Sequence, residues 1–338
     1  MQVRFRRALI ALAVLAAVPA ALVCVVVFWL RFSPRPLAVL LRVLSERDGR
    51  RTARAMARHV PDGISEILDQ QYLSNHGHTY LDVFFPDEAA RDALRLPTIV
   101  WIHGGAWISG TKDDVANYLR ILASYGFTTV GVDYSLAHKR RYPAPVRQSA
   151  AALRYLEHNA QRLHIDTERI VLAGDSAGAQ IAAQLALVVS DPDYAQRLGI
   201  ASPTAPDRLR AVLLHCGAYD LSLTGADQAG NQNYLRTVLW SYTGAKDYLE
   251  RPYIALASVA RHVGDKFPPA FVSAGNTDPL LPHSLALVKA LKKNGTKVEE
   301  FFPQTAAGLG HQFQFNLDLE SAWRALESSV HFLREHAG

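Results

Sequence analysis

Hydrophobic and polar positions divide the chain into three stretches. The first, residues 1–30, contains an uncharged apolar run from Ala8 to Leu30. At about 1.5 Å per residue, a helix of that length reaches about 34 Å, enough for the hydrocarbon core of a bilayer. Pro19 interrupts it, which membrane helices tolerate better than soluble ones. Cleaved signal peptides have shorter apolar cores, roughly 7–15 residues, and the residues before Cys24 suit a lipoprotein cleavage site poorly. The expectation is an uncleaved, single-pass N-terminal transmembrane helix that brings membrane lipid in as a partner. Arg4, Arg6 and Arg7 precede the run and Arg31, Arg35 and Arg42 follow it, so the positive-inside rule leaves the side of the membrane open. A long C-terminal domain can translocate regardless of such charges, which favours an extracytoplasmic placement.

The second stretch, residues 31–75, is basic. Leu37, Leu40, Leu41 and Leu44 recur at i, i+3, i+4 and i+7 and predict an amphipathic helix. Two readings are open: the helix lies on a membrane surface, or its apolar face packs on the domain that follows.

The third stretch, residues 76–338, alternates short apolar runs with helical patterns, the signature of a mostly parallel sheet covered by helices. Leu81–Phe85 reads as an early strand, antiparallel to the rest. Further strands are predicted at Thr98–His103, Thr128–Asp133, Arg169–Ala173, Ala211–His215, Ala270–Ser273 and Lys297–Phe302. Helices are predicted at Pro145–Leu163, Ala177–Val189, His283–Lys293 and Leu319–His336. The alternation breaks between about residues 219 and 265, where Tyr234, Leu235, Val238, Leu239, Trp240 and Tyr242 cluster without a clear strand. An insertion there predicts a helical cap. The reading is an α/β fold: one domain with a cap insertion.

Composition adds little except by exclusion. With 338 residues and 49% hydrophobic content the chain is globular. The net charge of +5 arises largely from the N-terminal arginines, which suits lipid headgroups better than a nucleic acid. There is no zinc-finger spacing and no interleaving of basic and aromatic residues, so no nucleic-acid partner is expected. Cys24 and Cys216 are the only cysteines; one lies in the apolar run and the other ends a predicted buried strand, so neither implies a bridge or a structural zinc.

The most specific local signal is Gly174-Asp175-Ser176-Ala177-Gly178. It follows a predicted strand and opens a predicted helix, the context that a Gly-x-Ser-x-Gly nucleophile elbow requires. The glycines permit close strand–helix approach, and the helix N-terminus favours developing negative charge. A second signal, His103-Gly104-Gly105-Ala106-Trp107, closes a buried strand. Acyl transfer needs backbone N–H groups aimed at the carbonyl oxyanion, and paired glycines let a loop come close enough. Gly104 and Gly105 are the expected donors, with the N–H of Ala177.

A serine hydroxyl needs a base, and the base needs an orienting carboxylate. Elbow enzymes of this kind run Ser, then acid, then His along the chain. Asp278 follows the strand Ala270–Ser273, and His311 follows Lys297–Phe302 in a glycine-rich loop. His283 is better placed to open a helix, His331 and His336 sit on the terminal helix, and Asp265 and Asp318 lack the loop position. Asp175 adjoins the nucleophile and points away from the imidazole, so it supports the elbow. His103 is read as a brace for the oxyanion loop. Trp107 either lines the acyl pocket or packs beneath that loop.

Together these residues resemble the α/β-hydrolase superfamily, and within it the carboxylesterase group related to hormone-sensitive lipase and kynurenine formamidase. The resemblance spans about Tyr80 to His336 and includes Asp133-Tyr134 and Tyr142-Pro143. Ala106 and Ala179 stand where the lipase-like branch usually has glycine, and His-Gly-Gly-x-Trp is closer to the formamidase and acetylesterase branch. An anchor ahead of such a domain resembles arylacetamide deacetylase-type esterases in layout.

The expected activity is hydrolysis of small carboxylic esters by Ser176, His311 and Asp278 through an acyl-enzyme, with no cofactor and no metal. An arylformamidase or other amidase would use the same triad and differ in its pocket. A peptidase is disfavoured because no gating domain precedes the hydrolase. A membrane-anchored binding protein on an inactive scaffold would typically have lost the Ser or the His.

Overall fold

The structure is a computed structural model that, from Phe32 onward, describes residues 32–74, 77–137, 139–225, 232–305 and 308–338. Helix α1 (Arg35–Met56) comes first, then strands β1 (Ile64–Gln71), β2 (Tyr80–Pro86) and β3 (Leu96–Ile102). Helix α2 (Lys112–Ala123), strand β4 (Thr128–Val132), helix α3 (Ala144–His158), strand β5 (Ile165–Asp175) and helix α4 (Ala177–Ser190) follow. The remainder is β6 (Leu209–His215), α5 (Gln232–Thr243), β7 (Ala270–Ser273), α6 (Leu281–Lys293), β8 (Val298–Phe301) and α7 (Glu320–Ala337).

The eight strands form one sheet in the order β1-β2-β4-β3-β5-β6-β7-β8. β2 runs antiparallel to both its neighbours, as its sequence suggested, and β3 to β8 are mutually parallel. Alternate residues of the central strands face opposite layers. Val100, Ile102, Leu172 and Val212 pack with α3 and α4, whereas Ile99, Trp101, Val171 and Leu213 pack with α2 and α7. Every residue of α4 is buried, which fits a helix apolar nearly all round.

Two of the labelled elements were not anticipated, nor were the short helices Asp87–Arg91 and Pro192–Leu198. β1 is an edge strand, half exposed, whose register shifts between Ile67 and Gln70, so its alternation is broken in the sequence. α2 is announced only by its capping box, in which Thr111 and Asp114 reciprocally satisfy each other's backbone N–H groups.

The N-terminal expectations require correction. The Ala8–Leu30 run lies, but for one position, outside the described residues. Among the described residues no helix is long and apolar enough to cross a membrane. The structure therefore gives no support to a membrane location, to a lipid partner, or to an anchored binding protein. The Leu37–Leu44 stripe is also divided: Leu41 packs on the core, while Leu40 and Leu44 are exposed. α1 does not present one apolar seam; it packs across α2 and α5.

Between β6 and β7 the described chain is helical throughout its regular elements: α5 together with the short turns Leu221–Gly225, Tyr248–Glu250, Pro252–Ala255 and Val259–Arg261.

Candidate active site

The carboxyl ends of the parallel strands converge on one cleft, the usual place for a ligand in an open α/β sheet. Ser176 stands at the corner between β5 and α4 with φ 53° and ψ −121°, a conformation that costs a non-glycine residue free energy and is held by its surroundings. Its own N–H donates to the His215 carbonyl at 2.8 Å, which fastens the corner to the neighbouring strand. A Cβ on Gly178 would fall 2.0 Å from the Ile102 carbonyl oxygen, so only glycine lets α4 begin this close to β3.

His311 Nε2 lies 2.9 Å from Ser176 Oγ. On the other side of the ring, Nδ1–H donates to Asp278, whose oxygens lie 2.9 and 3.0 Å away. The acid and histidine loops are stitched together: Thr277 donates through N and Oγ1 to the Leu309 carbonyl at 3.0 and 2.9 Å, and Leu309 N–H donates to Asn276 Oδ1 at 2.8 Å. Asp278 is buried; the His311 side chain keeps 31% of its exposure. Burial opposes an imidazolium here, but the adjacent Cys216 sulfur and the Asp278 carboxylate outweigh it and carry the His311 pKa well above its ordinary 6.5.

The loop after β3 faces the same corner. Gly105 has φ 106°, and Ser109 binds its carbonyl from both N and Oγ, at 2.9 and 2.8 Å. No backbone carbonyl among the described residues accepts from the N–H groups of Gly104, Gly105 or Ala177. His103 is buried, stacks on Tyr134 at 4.4 Å, and donates from Nδ1 to the Gly104 carbonyl at 2.7 Å. Burial lowers its pKa, so it stays neutral and braces the loop. Tyr134 O–H donates to the His103 carbonyl at 3.1 Å. Asp175 is buried and accepts from Trp101 Nε1 at 2.9 Å and from Gln312 Nε2.

The cleft measures about 800 Å³. Trp107 does both things open to it: it lines the cleft and packs at 2% exposure, stacked on Tyr242 at 4.7 Å and donating from Nε1 to Gln180 Oε1 at 3.3 Å. Leu235 and Val238 from α5 and Leu280 add to the cleft's apolar wall, while Ser45 and Thr52 of α1 and Asn316 contribute polar lining.

The structure thus brings Ser176, His311, Asp278, Gly104, Gly105 and Ala177 to one place, with His103, Trp107 and Asp175 around them. The competing residues lie elsewhere: His283 is buried on α6, facing the Asp220 N–H at 3.3 Å, and Asp318 pairs with Arg58 at the surface. Sequence reasoning missed Cys216, Gln312 and the contribution of α1 to the cleft. Gln312 adjoins the expected histidine, a hint that was available; Cys216 becomes a neighbour only through the sheet. Cys216, Asp278 and His311 form the one grouping among the described residues whose ligand atoms, all within 4.8 Å of one another, could hold a metal.

A family model described as alpha/beta hydrolase fold matches residues 99–315, well over half of the chain. The chain belongs to the alpha/beta hydrolase fold family. The resemblance read from its motifs is thereby borne out. An acetyl esterase of Salmonella paratyphi B is 30% identical over 225 residues, which is 63% of this chain and 65% of that protein, and an acetyl esterase of Salmonella agona matches equally. The chain therefore spans just under two thirds of the length of these curated relatives. Among solved structures, esterase B of Lactobacillus rhamnosis superposes with a TM-score of 0.74 at 22% identity, covering 88% of this chain and 95% of that one. An esterase of Pyrobaculum calidifontis gives 0.71 at 23% identity, covering 90% and 94%. These likenesses establish the hydrolase architecture.

Proposed function

We propose that the protein is a serine carboxylesterase acting on small esters. The observation that carries this reading is the position of the His311 ring, 2.9 Å from Ser176 Oγ through one nitrogen and on Asp278 through the other. Family membership and the acetyl esterase relatives support it from outside the site.

In this mechanism His311 Nε2 takes the Ser176 proton as Oγ attacks the ester carbonyl, and Asp278 stabilises the imidazolium. The oxyanion turns toward the N–H groups of Gly104, Gly105 and Ala177, with the first turn of α4 adding its dipole. His311 then gives its proton to the departing alcohol, and the same ring deprotonates the water that releases the acid. No step calls on a metal or cofactor. The Trp107–Tyr242 stack bounds the apolar wall and suits a short acyl chain, in keeping with acetyl ester relatives. α1 and the helical segment between β6 and β7 serve as the cap over the cleft.

The test is labelling by a fluorophosphonate probe together with hydrolysis of p-nitrophenyl acetate. Folded protein should be labelled at Ser176, and Ser176→Ala should lower turnover by roughly 10⁴–10⁶-fold. Absence of labelling, or a loss below about tenfold in the variant, would exclude Ser176 as the nucleophile.

A further inference from the structure

Two residues that take no part in the proposed proton transfers meet directly behind them. Asp175 precedes the nucleophile and Gln312 follows the histidine, and the Gln312 amide donates to Asp175 Oδ2. The other oxygen of Asp175 accepts from Trp101 Nε1 at 2.9 Å, so the carboxylate is fixed at both ends by neutral donors. A third segment rests on the same joint. A Cβ at Gly104 would stand 2.2 Å from Asp175 Oδ2 and 2.8 Å from Gln312 Nε2, so the oxyanion loop lies against it with no room for a side chain. Gln312 reaches the carboxylate by adopting a left-handed backbone, φ 58°, which a residue with a side chain adopts only when its surroundings hold it there.

The elbow, the histidine loop and the oxyanion loop come from three different strands. All three meet at the Asp175–Gln312 joint, one residue away from each of the two reacting groups. We propose that this pair is a positioning clamp that sets His311 against Ser176 and seats Gly104 at the oxyanion; the proposal rests on the reading of Ser176 as nucleophile. Both residues border the cleft, yet neither carries a proton in the proposed reaction, so loss of the clamp acts on turnover more than on substrate binding. Reacting atoms displaced by about 1 Å can lose on the order of 10²-fold in rate, which sets the scale of the effect.

The experiment is a charge-preserving swap. Gln312→Leu removes the donor, and Gln312→Glu sets two carboxylates face to face. Combining Gln312→Glu with Asp175→Asn restores the bond in reverse: the new asparagine amide donates to the new glutamate, while its carbonyl oxygen still accepts from Trp101. Turnover of p-nitrophenyl acetate, KM and the rate of fluorophosphonate labelling are measured on each, with thermal unfolding to verify the fold. The expected result is a kcat reduced about 10- to 100-fold in both single Gln312 variants, with KM within about twofold and labelling slowed in proportion. The double variant recovers most of kcat. Unchanged kcat in Gln312→Leu, or a double variant no better than Gln312→Glu alone, would overturn the clamp. So would variants whose kcat loss simply follows loss of folded protein. A parent protein that is neither labelled nor active would instead overturn the nucleophile reading beneath it.

Discussion

Cys216 and His311 are close neighbours: the thiol sulfur, an imidazole nitrogen and the Asp278 carboxylate all lie within 4.8 Å of one another. Cys216 is buried with φ 45°, and its N–H donates to the Ser273 carbonyl at 2.7 Å. Burial raises the pKa of the thiol proton, against the pull of the neighbouring His311 ring. A thiophilic ion can exchange that proton and take the imidazole nitrogen as a second ligand. Mercuric ion should therefore abolish ester hydrolysis, and Cys216→Ser should raise the inhibitory concentration at least about tenfold while leaving most activity. Inhibition unaffected by the substitution would show that the ion acts elsewhere.

The pH dependence of hydrolysis follows from the direction of the His311 shift. The ring must be neutral to take the serine proton, and its pKa stands above 6.5. Activity should therefore rise with a midpoint above 6.5 in a kcat/KM profile, which reports the free enzyme. Asp278→Asn removes the carboxylate that favours the charged ring, so the midpoint should move down while kcat falls on the order of 10⁴-fold, as in other triads. An unmoved midpoint would separate Asp278 from the titrating group.

Acyl-chain preference should depend on the stack between Trp107 and Tyr242, centred 4.7 Å apart with planes 10° from parallel. Trp107→Ala opens the apolar wall and also removes the donor to Gln180. Selectivity for acetyl over hexanoyl esters should fall by about tenfold or more, the scale of discrimination that pocket methylenes provide. A p-nitrophenyl ester series measures it; the variant should also lose about 3–5 kcal/mol of stability.

His215 gives a prediction about stability rather than turnover. It is buried beneath Trp101, its Nδ1 2.6 Å from Ser273 Oγ, and burial lowers its pKa to about 3. The unfolded chain takes up this proton near pH 6.5, the folded one only near 3. The contribution is therefore complete above 6.5 and is lost as pH falls from 6.5 towards 3, at up to about 1.4 kcal/mol per pH unit. Urea titrations across that range should be flatter for His215→Phe, which keeps the ring but not the titration.

Much of this arrangement was legible in the sequence because the central strands are buried on both faces. Ile170-Val171-Leu172-Ala173 could not be anything but interior, and an elbow glycine on either side of Ser176 marked the turn. Asp278 and His311 were found from chain order relative to such strands. Edge elements were harder: β1 alternates imperfectly because its register shifts, and half its residues face solvent. The leucines of α1 misled because periodicity reports a face and not what covers it. Leu41 meets the core while Leu40 and Leu44 do not. Gln312 and Cys216 carry no motif at all. Their significance is a matter of distance between strands.

Ser176 and His311 stand 135 residues apart in the chain yet share a hydrogen-bonding distance. On a ribosome, the elbow is made 135 residues before its histidine, and α7, which packs beside the histidine loop, follows later still. With Ser176 as the proposed nucleophile, a nascent chain should stay silent towards esters until His311 has emerged. Onset of ester hydrolysis would mark, in time, the moment at which the sheet closes around its final strand.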